Sequence, residues 1–405
     1  MKIVMLTPWE HRCGNAEYAK KLVGGFQTEV DIVPVDMPNL TGMGRGLLGR
    51  NFLKSHFREI LRKIADINPN LVHVQHEFVF FGHGMQRSSS IFNWFVRRLN
   101  CPFVVTLHTV PPKFLSPDRR KLLRVLDPRR KIAARHFLDA LSIAGQVIVH
   151  NDESRRLLQR ARASLVEKIM VLPQPINPRK PAVPCKPEKQ PADKWLVMLG
   201  FISEYKGHVW ALELLAQLPK NYKLIIAGGR HPYDSGFSQY WSKLLAEIDR
   251  LDLQSRVDVT GFLGMDSEQA YFLEKADAFL LPYKEVGQAG SAVLADMMAY
   301  DAPIITSCAI SMQTYRTYSD TIYSANSLFD AEVRSGKYIL NGNVALTVKD
   351  LIESGSERAS LMLAHRRNAQ ERFSSAVIGA EHTRVYESVI SGKKTVSSYF
   401  SNEEI

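Results

Sequence analysis

Cysteine is scarce and scattered. The chain has four, Cys13, Cys101, Cys185 and Cys308, and no two of them form a CxxC pair. That spacing offers neither a disulfide framework nor a zinc site, and it suits a reducing cytoplasm. Long apolar runs are also missing: none approaches the roughly 18 residues a membrane-spanning helix needs. Met1–Leu6 is apolar, but Pro8-Trp9-Glu10-His11-Arg12 ends it too early for a signal h-region, so it reads as a first buried strand. There is no short internal repeat and no low-complexity tract. Acidic residues are few in the first 180 positions, where 14 Asp and Glu face 29 Lys and Arg; the remaining residues hold 27 acidic and 23 basic. The first half therefore meets something anionic or simply carries solvated basic faces.

With 405 residues, 45% of them hydrophobic, there is material for two cores. Apolar runs at Lys2–Pro8, Val30–Val35, Leu71–Gln75, Phe103–Leu107, Val147–His150 and Ile169–Leu172 read as strands. Between them lie helices from about Asn15 to Phe26, within Gly42–Ile67, where Leu47, Leu48, Phe52, Phe57, Ile60, Leu61 and Ile64 mark the apolar side, over Ser89–Leu99 and through most of Arg119–Ala144. Seven prolines then crowd Pro173–Lys194, which predicts an extended linker. The alternation restarts with strands at Trp195–Gly200, Lys223–Ala227, Val257–Thr260 and Ala278–Pro282, and helices at His208–Gln217, Trp241–Leu251 and Glu268–Ala276. The fold class expected is α/β, with two Rossmann-like doubly wound domains facing a cleft. Their expected extents are residues 1–180, joined by a C-terminal helix within 375–400, and residues 195–374.

The stretch Leu280–Thr306 concentrates the chemistry. A strand runs into a loop with Gly287 and Gly290, then a helix carrying Val293, Leu294, Met297 and Met298 at helical spacing. Such a loop is either an ordinary strand–loop–helix connection or an anion site, where free backbone N–H groups of Gly290 and Ser291 meet phosphate.

The order of motifs resembles the GT-B glycosyltransferases, of the retaining, nucleotide-sugar-dependent family-4 type. The resemblance covers nearly the whole chain. Leu199-Gly-Phe-Ile-Ser-Glu-Tyr-Lys-Gly207 looks like the segment after that family's first donor-domain strand. Leu224–Gly229 resembles its second strand and glycine turn, and Val257–Phe262 the strand near which the nucleobase packs. Ala276–Pro282 followed by Ala295–Ile305 resembles the donor motif; Cys13–Tyr18 and Val104–Thr109 resemble the first-domain glycine loop and "T-x-H" strand end. Arg372–Tyr386 is similar to the closing helix that crosses back to the first domain. The resemblance implies a nucleotide-diphosphate sugar as co-substrate, no other cofactor and no metal. No His, Asp or Glu cluster here has metal-ligand spacing.

Residue by residue, Lys206 is placed to offset diphosphate charge, or is a surface lysine before a turn. His108, at a strand's C-terminal end, contacts the donor sugar by the resemblance; otherwise it is structural. Glu77 holds or deprotonates the acceptor hydroxyl, or caps a loop. Gly14 lets the facing loop close on the donor, its backbone expected to tolerate glycine alone, or is a plain turn glycine. Phe262 implies a nucleobase neighbour. His11 is a weaker acceptor-side candidate.

Two departures from the family stand out. Its paired glutamates, one touching the sugar and one the ribose, are Gln288 and Asp296 here, with Glu285 as a displaced first carboxylate if the loop shifts. Phe201 stands where an arginine often binds diphosphate, leaving Lys206 and Arg230 for that task. The expected function is hexose transfer to a glycan, glycolipid or small alcohol; the alternative is a GT-B module that binds nucleotide but has lost catalysis. The basic helices Arg45–Lys63 and Arg119–Arg135 are solvated faces or lie on an anionic membrane at the inner face. Nucleic acid ranks low as a partner, because no aromatic stacking platform accompanies the charge.

Overall fold

The computed structural model describes residues 1–10, 14–26, 30–36, 46–115, 128–230, 236–264, 266–284, 287–307, 309–315, 322–324, 344–353 and 366–393. His11, Cys13, Arg45, Glu285, Cys308 and positions 119–127 of the second basic helix lie outside these residues. The chain forms two compact units. Unit 1 is Met1–Pro175 with Gly287–Ala292 and Phe373–Ile405; unit 2 is Ile176–Val286 with Val293–Arg372. The division between Pro175 and Ile176 falls inside the proline-rich stretch, which up to Asp193 holds no helix and no strand of either sheet. Gly287–Ala292, read from sequence as part of the second domain, groups with the first.

Unit 1 is built on a parallel sheet of β1 (Lys2–Thr7), β2 (Asp31–Asp36), β3 (Leu71–His76), β4 (Phe103–Leu107), β5 (Gln146–Val149) and β6 (Ile169–Val171), in the order β2-β1-β3-β4-β5-β6. Val, Ile and Leu dominate the central strands, and β3 and β4 are buried along their whole length, as a sheet covered on both faces requires. The Gly46–Ile67 helix buries Leu53, Phe57, Ile60 and Ile64, one stripe at helical spacing. Phe52, counted with the apolar side from sequence, is 53% exposed because it falls off that stripe.

The Ser375–Ser391 helix belongs to unit 1. Its Val385 and Tyr386 join Ile3, Leu71, Val104 and Ile148 in one core cluster. Its first turn meets the end of the Gly14–Val23 helix backbone to backbone. A Cβ on Gly25 would stand 1.9 Å from the Ser375 carbonyl oxygen, and one on Gly379 2.2 Å from that of Gly25. Both positions exclude any side chain.

Unit 2 repeats the plan with β7 (Lys194–Leu199), β8 (Tyr222–Ala227), β9 (Val257–Val259), β10 (Ala278–Leu281), β11 (Ile304–Thr306) and β12 (Ile322–Ser324), in the order β12-β11-β10-β7-β8-β9. Each sheet has its first strand inside it, with the chain moving outward to either side. That reversal leaves strand ends open to a ligand. Trp210, Leu214, Leu224 and Ile226 anchor the second core. No described helix is long and apolar enough to cross a membrane.

Candidate active site

The unit 2 residues gather where β7 and β8 end. Gly200 follows β7 with φ +97°, a backbone that favours glycine, and its N–H donates to Ala227 O at 3.0 Å. Gly228 cannot carry a side chain, since its Cβ would lie 2.0 Å from Gly200 O. The two strand ends are thus drawn together, and Ile202 pairs with Arg230 beyond them. The turn Glu204–Lys206 then closes on Gly207, at φ +76°, and the His208–Ala216 helix begins.

Lys206 is only 5% exposed. Its Nζ donates to Leu199 O at 3.0 Å and stands 5.6 Å from the Tyr283 ring centre. No carboxylate among the described residues forms a salt bridge with it. Burial alone lowers its pKa to about 7. A buried ammonium without a counter-ion costs free energy that an incoming anion would recover. Phe201 and Phe262 stack with ring centres 6.0 Å apart and planes at 20°, and Phe262 stays 49% exposed. Phe201 therefore supplies a ring where charge was expected. Arg230 is exposed, its guanidinium 5.5 Å from the Phe237 ring. Asp296 lies half-buried on the Ala292–Met297 helix, whose six residues make under two turns and a correspondingly weak dipole.

Unit 1 brings together a second set at the ends of β3, β4 and β5. Gln288 pairs with Thr109 in an isolated antiparallel bridge. On either side of it, Val110 N–H donates to Gly287 O at 2.7 Å and Ala289 N–H to His108 O at 2.8 Å. Asn151 Nδ2 donates to Ala289 O at 2.5 Å. Gly287 has φ +85°, and a Cβ there would lie 2.7 Å from Pro111 Cα. At Gly290 a Cβ would meet Gln174 Nε2 at 2.8 Å and His150 Cδ2 at 2.9 Å, so side chains fill the space before it. The Gln288 Oε1 atom is buried with no hydrogen-bond partner among the described residues.

His108 is buried, with Nε2 2.8 Å from Gln75 Oε1 and Nδ1 3.4 Å from His150 Nε2. Tyr18 sets its ring edge-on to both imidazoles, at 4.9 and 5.2 Å. Burial, then the neighbouring His150, His73 and His76, hold His108 well below the usual imidazole range. Glu77 accepts from Phe78 N–H at 2.8 Å and from the Thr109 hydroxyl at 2.5 Å, and burial raises its pKa. It caps the Phe78–Phe81 turn, the structural role the sequence had left open beside the catalytic one.

The structure thus joins His108, Glu77, Gln288 and Gly290 in one unit, and Lys206, Phe201, Phe262 and Arg230 in the other. Gly14 joins neither set. It opens the Gly14–Val23 helix with an exposed backbone outside the left-handed region, and nothing lies within 4 Å of a built Cβ. The expectation that only glycine fits there is therefore corrected: the backbone admits other residues. Sequence reading passed over His150, Gln75, Gln174 and Asn151. His150 had a visible signal, since it follows β5 as His108 follows β4.

Two parallel six-stranded sheets of this order, with glycine turns at the strand ends, define the GT-B class of α/β protein. Family models match consecutive stretches: "Glycosyltransferase Family 4" over residues 17–180 and "Glycosyl transferases group 1" over 181–314. The chain belongs to the family-4 type of GT-B glycosyltransferases. Among solved structures it resembles sucrose-phosphate synthase from Thermosynechococcus elongatus, with TM-score 0.68, 16% identity, 97% of this chain and 100% of that one covered. Anabaena HepE in complex with UDP and glucose gives TM-score 0.65 and 15% identity, covering 96% and 100%. A glycosyltransferase from Rickettsia africae gives 0.63 and 14%, covering 96% and 98%. These likenesses concern the fold. No curated protein matches the sequence.

Proposed function

We propose that this glycosyltransferase moves a hexose, with retention and without a metal, from a nucleoside-diphosphate sugar to a glycan, glycolipid or small alcohol. Lys206 carries the reading: a buried, unpaired ammonium in a glycine-built turn is a place for a diphosphate and for the charge that grows as it leaves. Phe262, with Phe201 beneath it, offers a flat face to a nucleobase. Asp296 accepts from ribose hydroxyls, and Gln288 and His108 bond sugar hydroxyls. Glu77 orients the acceptor hydroxyl, while the departing diphosphate takes its proton. The chain acts in the cytoplasm, its first domain on an anionic membrane surface. There Lys54, Arg58 and Arg98 surround Trp94, at 5.6, 5.8 and 4.4 Å from its ring centre.

Thermal shift and donor-hydrolysis assays with UDP-, GDP- and ADP-sugars test this, the UDP series first because HepE is seen with UDP and glucose. One series should stabilise the protein and turn over. Lys206→Ala should lower kcat/KM on the order of ten- to a hundredfold, the worth of a charged hydrogen bond to phosphate. Stabilisation without turnover by any donor would instead support the inactive nucleotide-binding module suggested by Gln288, Asp296 and Phe201. Neither effect with any series would overturn both readings.

A further inference from the structure

A line of buried polar side chains runs through unit 1 from the Ser375–Ser391 helix to β6. Tyr386 OH is 2.7 Å from His73 Nδ1, and His73 Nε2 is 2.8 Å from Thr106 Oγ1 and 3.3 Å from the Gln75 amide. The other end of that amide is 2.8 Å from His108 Nε2. His108 Nδ1 is 3.4 Å from His150 Nε2, and His150 Nδ1 is 3.0 Å from Leu172 O. All six side chains are fully or almost fully buried.

The far end fixes the proton pattern. Leu172 O only accepts, so His150 holds its hydrogen on Nδ1 and turns a bare Nε2 to His108. If the Gln75 oxygen faced His108, that ring would carry its hydrogen on Nε2 and turn a second bare nitrogen to His150. Two lone pairs would then oppose each other at 3.4 Å. A shared proton would relieve this, but burial disfavours the imidazolium at both rings. With the Gln75 amide the other way round, no two lone pairs oppose each other along the line, and the amide oxygen takes the nitrogen's place 3.2 Å from Met5 Sδ. Tyr386 donates to His73, and His73 to Thr106 and Gln75. Gln75 donates to His108, His108 to His150, and His150 to Leu172. An amide's two ends occupy the same space, so the network decides between them.

We propose that Gln75, His73, His150 and Tyr386 are positioning residues that hold His108 as the Nδ1–H tautomer. This rests on the transferase reading for its purpose: Nε2 is occupied by Gln75, so the hydrogen His108 can offer a sugar hydroxyl is the one on Nδ1. Its present bond to His150, at 3.4 Å, is the weakest in the line and the one a hydroxyl can replace. The chemistry recognised is a hydroxyl oxygen that accepts from imidazole. Tyr18 from the first helix, and His73 and His76 from β3, also face this pair. None supplies a counter-charge, which keeps the line neutral.

Long-range nitrogen-15 spectra of the histidine rings read the tautomers in the full chain without any substrate. His108 and His150 should each carry the hydrogen on Nδ1, and His73 on Nε2. In Gln75→Glu the carboxylate can only accept, so the His108 hydrogen should move to Nε2. There kcat should fall at least about tenfold while the Kd for the nucleoside diphosphate stays within about twofold. Tyr386→Phe keeps the ring and removes only the head of the line; His73 should shift its tautomer balance and kcat should fall about two- to tenfold. A wild-type His108 protonated on Nε2, or Gln75→Glu with undiminished kcat, would overturn the proposal. A wild type that turns over no donor would count against the transferase reading, and the spectra would still decide the tautomer.

Discussion

The Thr109 hydroxyl donates to Glu77 at 2.5 Å while its backbone is bridged to Gln288. A single threonine therefore ties the end of β3 to the 287–292 segment.

Thr109→Val should expose that dependence. It removes one of two donors to a half-buried carboxylate, which should cost about 1–3 kcal/mol. Glu77→Gln in the same background should recover part of the loss, since an amide is cheaper to leave half-satisfied than a carboxylate. Urea unfolding of the three variants gives the numbers. A loss under about 0.5 kcal/mol would show that water reaches the carboxylate.

Gly287→Ala combines two faults, a left-handed backbone at φ +85° and a Cβ 2.7 Å from Pro111 Cα. The left-handed backbone alone costs about 1–2 kcal/mol for a residue with a Cβ. Because the damage is local, hydrogen exchange at the Val110 and Ala289 amides should quicken while the melting temperature changes little. Unchanged protection of both would contradict the pairing.

His76 stacks on Phe81 at 5.3 Å and 16°, with Phe78, Phe92 and Phe137 around it, and neither ring nitrogen meets a partner in another of the described residues. His76→Phe should stabilise the chain by about 1–2 kcal/mol at neutral pH by removing an unsatisfied polar ring. The gain should widen in acid. Burial holds His76 down to about 3 and His150 and His382 to about 4, with His73 and His108 also well below the ordinary range. The unfolded chain takes up these protons near pH 6.5 and the folded one does not. The histidines' contribution to stability is thus complete above about 6.5 and falls as pH drops from there toward 4. Losing one titrating group should flatten that slope by about 1.4 kcal/mol per pH unit. Parallel slopes for wild type and variant would refute the assignment.

Lys206 links nucleotide affinity to protons. Its pKa of about 7 lies below the unfolded lysine value, so folding stability rises with pH from about 7 toward 10.4 and is level below 7. An anion at the ammonium reverses the shift. Nucleoside-diphosphate binding near pH 8 should therefore take up a proton, and affinity should weaken as pH climbs past 7. Calorimetry in two buffers of different ionisation enthalpy measures the uptake. Identical heats in both would place Lys206 away from the phosphates.

The cations around Trp94 should respond to charge on a lipid surface. Lys54 is shifted down by burial and then by Arg50, Arg98 and Arg58, so like charges crowd there. Co-sedimentation with phosphatidylglycerol vesicles should exceed that with phosphatidylcholine, weaken with salt, and be lost in a Lys54→Glu, Arg58→Glu, Arg98→Glu variant. Equal binding by variant and wild type would remove this face from the membrane.

The strands were legible because each is a short run of Val, Ile and Leu between turn residues, and the two-sheet plan follows from their alternation with helices. His108 was legible as a residue at a strand end, and Lys206 as a lysine just before a glycine turn. The bridge of Gln288 to Thr109 was not, because a single pair far apart in sequence leaves no periodic trace. Phe52 was misread because two apolar residues in succession, Phe52 and Leu53, cannot share a helix face, and only the packing of Leu53 shows which turns inward. The imidazole line escaped notice because its members come from β3, from the ends of β4 and β5 and from the Ser375–Ser391 helix, far apart in sequence.

The backbone contact of Gly25 with Ser375 and Gly379 has a consequence for the order in which the protein is made. The sheet begun at Lys2 needs Val385 and Tyr386 to complete its core. At synthesis rates of about 5–20 residues per second, that sheet waits tens of seconds while the whole of unit 2 emerges. The later domain can close on itself first; the earlier one remains an unfinished surface until the last helix arrives. A chain cut short just before Ser375 would thus fail in the half that is translated first.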